Sequence, residues 1–192
     1  PDEEERGDDT EPKPPWQRGR AGTALGRAVH AVLQTVDLTT GADLNVTARA
    51  QALAEGIAGR EREVQRLAAS VLASSIVRAA VADGWDRWRE VPVAAHVDGV
   101  VLEGFVDLLL RTPGGLVVVD YKTDRAPTGA ALDEAVERYS VQAAAYALAL
   151  ETTLDEPVTR CVFVFAREPE AVERDVTDLP GAIAEVRRLL RR

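Results

Sequence analysis

The amino-acid sequence predicts an α/β (α+β) fold: a central mixed β-sheet flanked by helices, with a helical part at the N-terminus. Three observations carry that expectation. Apolar residues recur at helical intervals through residues 22–82. Three runs rich in β-branched residues follow one another between 90 and 121, and a helical, a strand-like and a second helical segment close the chain.

Taken in order, residues 22–36 place Leu25, Val29, Val32, Leu33 and Val36 at helical spacing. Residues 48–58 and 61–82 are alanine-rich with the same periodicity, interrupted around 56–59, where two glycines fall. Trp85 and Trp88 precede a change of pattern: 90–93, 100–110 and 116–121 read as strands. His96 lies between strands near Asp98-Gly99 and reads as a surface turn residue. Residues 132–151 return to helix, with Leu132, Val136, Tyr139, Ala143, Tyr146 and Leu150 at helical intervals. Residues 158–165 form a short, strongly apolar strand of the buried kind, and 178–192 an amphipathic helix. The expected division is an acidic, proline-rich disordered linker over 1–20 and one domain over 21–192, with 37–85 as a helical insertion within it.

A chain of 192 residues can bury the core of one domain. It holds 46% hydrophobic and 29% charged residues, an ordinary globular balance. No stretch approaches the roughly 18 apolar residues of a membrane span, so no membrane partner is expected. Cys161 is the only cysteine, which excludes an internal disulfide and a cysteine-ligated iron–sulfur cluster and suits a reducing cytoplasm. There is no methionine, even at position 1, and with the opening Pro-Asp-Glu-Glu-Glu this reads as a piece of a longer polypeptide. The net charge is −9, much of it in the first 14 residues. The mildly acidic remainder disfavours an autonomous nucleic-acid binder with a broad basic face, so a nucleic-acid role would need a local site or a partner's help. A monomer is expected.

Of 23 basic residues only Lys13 and Lys122 are lysines, and Lys13 falls in the N-terminal tail. A chain that otherwise uses arginine keeps one compact ammonium two residues after Asp120, at the end of an apolar run. Thr112-Pro113-Gly114-Gly115 is a turn signal. A symmetric hairpin there pairs Arg111 with Leu116 and Thr112 with Gly115, which sets Asp107 opposite Asp120. Directly opposed residues share a face with Cβ atoms about 4.5–5.5 Å apart, and Lys122 falls on that face. Two carboxylates so close repel unless paired. One resolution is a divalent cation between them, since Mg²⁺ takes carboxylate oxygens and keeps several waters; the other is neutralisation by Lys122 alone. The opposition of the two aspartates depends on the turn, because a one-residue slip would destroy it.

His30 sits one helical turn after Gly26, whose missing side chain admits a close neighbour. A lone histidine among apolar helical residues is more often a satisfied core residue than a ligand. Gln142 and Tyr146 project from one helix face, with Tyr139 one turn earlier, and packing explains them as well as a site does. Glu90 opens the first strand and either caps a site or merely ends a helix.

These pieces together resemble a known family. Gly26-x-x-x-His30, Gly104-Phe-Val-Asp107, Asp120-Tyr-Lys122-Thr-Asp124 and Gln142-x-x-x-Tyr146, in that order, are similar to the RecB-type branch of the PD-(D/E)XK nucleases, most of all to the C-terminal nuclease domains of AddA- and RecB-like helicases of the UvrD family. The resemblance runs from about residue 22 to 190. It implies a restriction-endonuclease-like fold and a Mg²⁺- or Mn²⁺-dependent DNase. His30, Asp107, Asp120 and the Tyr121 carbonyl would be metal ligands, and Lys122 would be catalytic together with the two aspartates. Gln142 and Tyr146 would contact nucleic acid, with Glu90 and Tyr139 as accessory residues. It implies DNA partners, single-stranded ends above all, and a helicase motor on the same polypeptide or in a complex. Asp120 stands where glutamate is common in the wider superfamily, as is usual in this branch. The missing cysteines set the chain apart from cluster-bearing relatives. The rival expectations are a catalytically silent nuclease fold that guides DNA or docks a partner, and a helical scaffold for protein partners centred on 37–62.

Overall fold

The structure, a computed structural model, describes residues 22–124 and 128–191. The expectation of a linker over 1–20 lies outside the described residues. The elements are α1 (Ala24–Thr35), α2 (Leu44–Ala54), α3 (Glu61–Leu72), α4 (Ser75–Ala82), β1 (Asp86–Val97), β2 (Val100–Thr112), β3 (Gly115–Lys122), α5 (Ala130–Leu154), β4 (Val158–Phe165), β5 (Val172–Asp175) and α6 (Leu179–Leu190). The strands form one sheet in the order β1-β2-β3-β4-β5. β3 and β4 run parallel, with α5 as the crossover, and the other neighbours are antiparallel. The sheet is therefore mixed, as expected.

Helices cover both faces. Helices α1 to α4 pack with Leu108, Leu110, Val117, Val119, Val162 and Val164. Helices α5 and α6 pack on the other face, against Leu109, Leu116, Val118, Phe163 and Phe165. Such continuous apolar strands suit a sheet buried on both sides. Phe163 and Phe165 are fully buried, and each contributes about 1.5–3 kcal/mol by leaving water. No single helix among the described residues is long and apolar enough to cross a membrane.

The hairpin register between β2 and β3 is the expected one, pairing Arg111 with Leu116, Thr112 with Gly115 and on to Leu108 with Val119, but the ladder stops there, so the expected pairing of Asp107 with Asp120 is not formed. Three features depart from the expected outline. The helical stretch 61–82 breaks into α3 and α4 at Ala73-Ser74, where Ser74 is extended (φ −62°, ψ 153°). β1 is 12 residues long and takes in Trp88 and the exposed His96. β5 is an edge strand that no apolar pattern announces.

One irregularity sets the geometry at the strand ends. β1 and β2 pair continuously except at Glu90 and Asp107, which face each other between the pairs Arg89–Leu108 and Val91–Val106. Glu90 has φ +50°, a left-handed conformation that costs a non-glycine residue free energy. Across this break the alternation of faces shifts: Val106 belongs to the α5 side, yet Leu108, two residues on, belongs to the α1 side. Regular pleating would have put both on one face.

Candidate active site

The candidate site lies at the carboxyl end of β3, where β3 and β4 run side by side and Asp120 and Lys122 neighbour Phe163 and Phe165. Open α/β sheets place ligands at such ends. Alternation along β3 sends Tyr121 to the α1 side and aligns Asp120 and Lys122 with Leu116 and Val118 toward α5.

On the α1 side, Thr23 caps the helix by accepting a hydrogen bond from the Gly26 N–H at 3.1 Å. A Cβ on Gly26 would lie 2.6 Å from Thr123 Oγ1, so the glycine lets α1 settle against the chain leaving β3. One turn later His30 Nδ1 lies 3.0 Å from Asp107 Oδ1, while Asp107 Oδ2 accepts the Tyr121 N–H at 2.7 Å. Burial lowers the His30 pKa, but the Asp107 carboxylate outweighs it and holds it at about 9. Burial likewise works against ionised Asp107, and the His30 cation with the Tyr121 N–H keeps its pKa below the usual value. The ligand atoms of His30, Glu90 and Asp107 all lie within 4.8 Å of one another.

On the α5 side, Lys122 Nζ donates to Asp120 Oδ2 at 2.8 Å and to Gln142 Oε1 at 3.2 Å. It stands 4.1 Å from the Tyr139 ring centroid and 5.6 Å from that of Phe163. Burial pushes the Asp120 pKa up to about 6, with Lys122 pulling it back down and Asp107 adding to the rise. Gln142 Nε2 donates to Tyr146 Oη at 3.1 Å. Tyr139 Oη bonds Asp124, and burial with that bond raises its pKa to about 12. Tyr146 is only 6% exposed and packs its ring on Gly104, so its phenol faces the interior.

The structure thus brings His30, Glu90, Asp107, Asp120, Tyr121, Lys122, Tyr139, Gln142 and Tyr146 to one end of the sheet. It divides them, however. Glu90, expected only as an accessory, completes the close triplet with His30 and Asp107, whereas the Asp120 carboxylate is engaged by Lys122. A usable signal for Glu90 was present: Asp98-Gly99 is a two-residue hairpin turn with both φ positive, and its register sets Glu90 opposite Asp107. Phe163 and Thr123 were not singled out, since their contacts come from tertiary packing.

Two carboxylates and an imidazole at this spacing fit a divalent cation of the Mg²⁺ or Mn²⁺ kind, which favours carboxylate oxygen and, for Mn²⁺, tolerates nitrogen. The donor set contains no thiolate.

The sequence model of the PD-(D/E)XK nuclease superfamily matches residues 6–192. The chain is 37% identical over 163 residues to an ATP-dependent helicase/nuclease subunit from Desulforudis audaxviator, covering 71% of this chain and 12% of that protein. It is 30% identical over 164 residues to the subunit of the same name from Pelotomaculum thermopropionicum, covering 74% and 12%. The chain therefore spans only about an eighth of the length of these relatives. The solved structure of SSO0001 overlaps 88% of this chain and 85% of its own with 17% identity and a TM-score of 0.38, too loose to add to the fold.

Proposed function

The chain belongs to the PD-(D/E)XK nuclease superfamily, and from that premise we propose that it is a divalent-metal-dependent deoxyribonuclease. The observation that supports this most directly is adjacency: the His30–Glu90–Asp107 triplet lies next to the Asp120–Lys122 pair at one strand end.

In this reading His30, Glu90, Asp107 and Asp120, with the Tyr121 carbonyl, would hold Mg²⁺ or Mn²⁺. When bound, the ion would supply Lewis acidity, acidifying water and neutralising phosphate charge. Lys122 orients the attacking water and places its ammonium where negative charge grows on the phosphorane-like transition state. Asp120 keeps that ammonium at the strand end. Phosphodiester bonds are cut to leave a 3′-hydroxyl and a 5′-phosphate.

Exonuclease action on DNA ends, single-stranded ones above all, is the finer proposal, in recombinational repair. The relatives' name joins a helicase to a nuclease in one subunit, which supports a helicase motor, in the same polypeptide or complex, feeding strands to this site. A motor that supplies most of the DNA affinity would also account for the acidic chain. The chain itself acts as a monomer in the cytoplasm.

The test is digestion of 5′- and 3′-labelled linear DNA, single- and double-stranded, with Mg²⁺, Mn²⁺ or EDTA. Metal-dependent cutting should fall by about 10²–10³-fold in Lys122→Ala, the scale of losing one preorganised donor. Equal cutting by parent and variant would overturn the assignment.

A further inference from the structure

We infer that Gln142 and Tyr146 are positioning residues that act on the reaction through Lys122 rather than contacts for nucleic acid. The inference rests on the nuclease reading only in giving Lys122 a reaction to serve.

The geometry runs in one direction. Gly104 has no side chain, and a Cβ there would lie 2.5 Å from Tyr146 Cε1 and 2.9 Å from its Oη. The ring therefore lies against the β2 backbone at Gly104, and the backbone at Phe105 hydrogen-bonds the phenol. Burial leaves the tyrosine 6% exposed, with its pKa raised to about 12. A group so placed offers little surface to a strand of DNA but makes a rigid post.

That post anchors an amide. Gln142 presents a donor at one end and an acceptor at the other, and the two ends differ little in shape. With Nε2 held by Tyr146 Oη at 3.1 Å, Oε1 must face Lys122 Nζ at 3.2 Å. The opposite orientation would set an NH₂ group against an ammonium. Lys122, which can only donate, thereby fixes the orientation in which Gln142 accepts from it, and Tyr146 Oη anchors the other end of the amide. Asp120 holds a second N–H of the ammonium at 2.8 Å, and the Tyr139 ring covers another side at 4.1 Å. A lysine head carries about 2 kcal/mol of rotamer entropy on its four-carbon stem, and displacement by about 1 Å can cost 10²-fold in rate. The relay from Gly104 through Tyr146 and Gln142 removes that freedom.

The chain offers an unusually clean readout, since Lys122 and Lys13 are its only lysines. In the 192-residue protein labelled with ¹⁵N-lysine, the Lys122 ammonium should give a shifted, exchange-protected ¹H–¹⁵N signal. Gln142→Ala and Tyr146→Phe should each abolish that protection while the backbone spectrum stays that of a folded chain. In parallel, kcat should fall about 10–100-fold in Gln142→Ala, less in Tyr146→Phe, with KM and the affinity for a labelled oligonucleotide unchanged. In a Lys122→Ala background neither substitution should lower the rate further. A Lys122 signal indifferent to both variants would overturn the inference. So would a loss of oligonucleotide affinity that persists in the Lys122→Ala background. If the parent cuts no DNA while the ammonium signal still depends on Gln142 and Tyr146, the relay stands and the nuclease reading fails.

Discussion

The α1 side and the α5 side of the site are built by different means. His30, Glu90 and Asp107 are brought together by backbone devices: a glycine that lets α1 approach, and a break in the β1–β2 pairing at a residue with φ +50°. Lys122 is held instead by side chains, with Asp120, Gln142 and two aromatic rings around its ammonium. The first group commits its polar atoms to an internal His30–Asp107 bond that a metal would have to replace. The second is complete without any ligand. The difference teaches that a cation held by the first group would have to displace an ion pair, whereas the second is organised by its own side chains.

The sharpest way to break that division is metal binding. Asp107→Ala should weaken Mn²⁺ binding by more than about 100-fold, beyond the roughly 10–100-fold typical of losing an outer-shell partner. Lys122→Ala should change it little. Calorimetric titration checks both, and equal losses would mean that the two halves are a single unit.

A smaller effect separates the two glycines. Gly104→Ala drives a methyl into the Tyr146 ring, a flat group backed by the core, and should cost about 1–3 kcal/mol. Gly26→Ala meets Thr123 Oγ1, the tip of one short side chain, and gains up to about 1 kcal/mol of helix propensity. Urea midpoints should therefore drop further for Gly104→Ala, and the reverse order would show that the α1 contact is the stiffer one.

A further effect is on pH. His30 is held at about 9 in the folded protein against 6.5 ordinarily. Its pairing with Asp107 therefore adds stability that is complete below pH 6.5 and is lost as pH rises through about 9. The Tm of the metal-free protein should decline over that window, and His30→Gln should flatten the decline. Because a ligating imidazole must shed its proton, Mn²⁺ affinity should rise over the same window. A metal-free Tm that climbs from pH 6.5 to 9 would contradict the His30–Asp107 ion pair.

Much of this was readable in advance. The turn at Thr112–Gly115 sets the β2–β3 register, and the lone internal lysine marked the strand end. What stayed hidden has physical reasons. Leu108, Leu109 and Leu110 form an unbroken apolar run, which masks the shift of face at Asp107. β5 holds three charged residues among four and depends on backbone bonds to β4 rather than on a buried stripe. The α3–α4 break carries no glycine or proline, so alanine-rich periodicity runs straight across it. The burial of Tyr146 was not visible either, since the helix pattern gives a face but not what lies against it.

The break at Glu90 has a consequence beyond the chemistry. β1 is the long outer edge of the sheet, and an unpaired edge is a template on which a second molecule can add a strand. Here that template is interrupted twice within three residues, by the left-handed turn at Glu90 and by Pro92, which has no N–H to offer. The same distortion that aims Asp107 at His30 thus shortens the run of regular backbone that β1 would offer a neighbour.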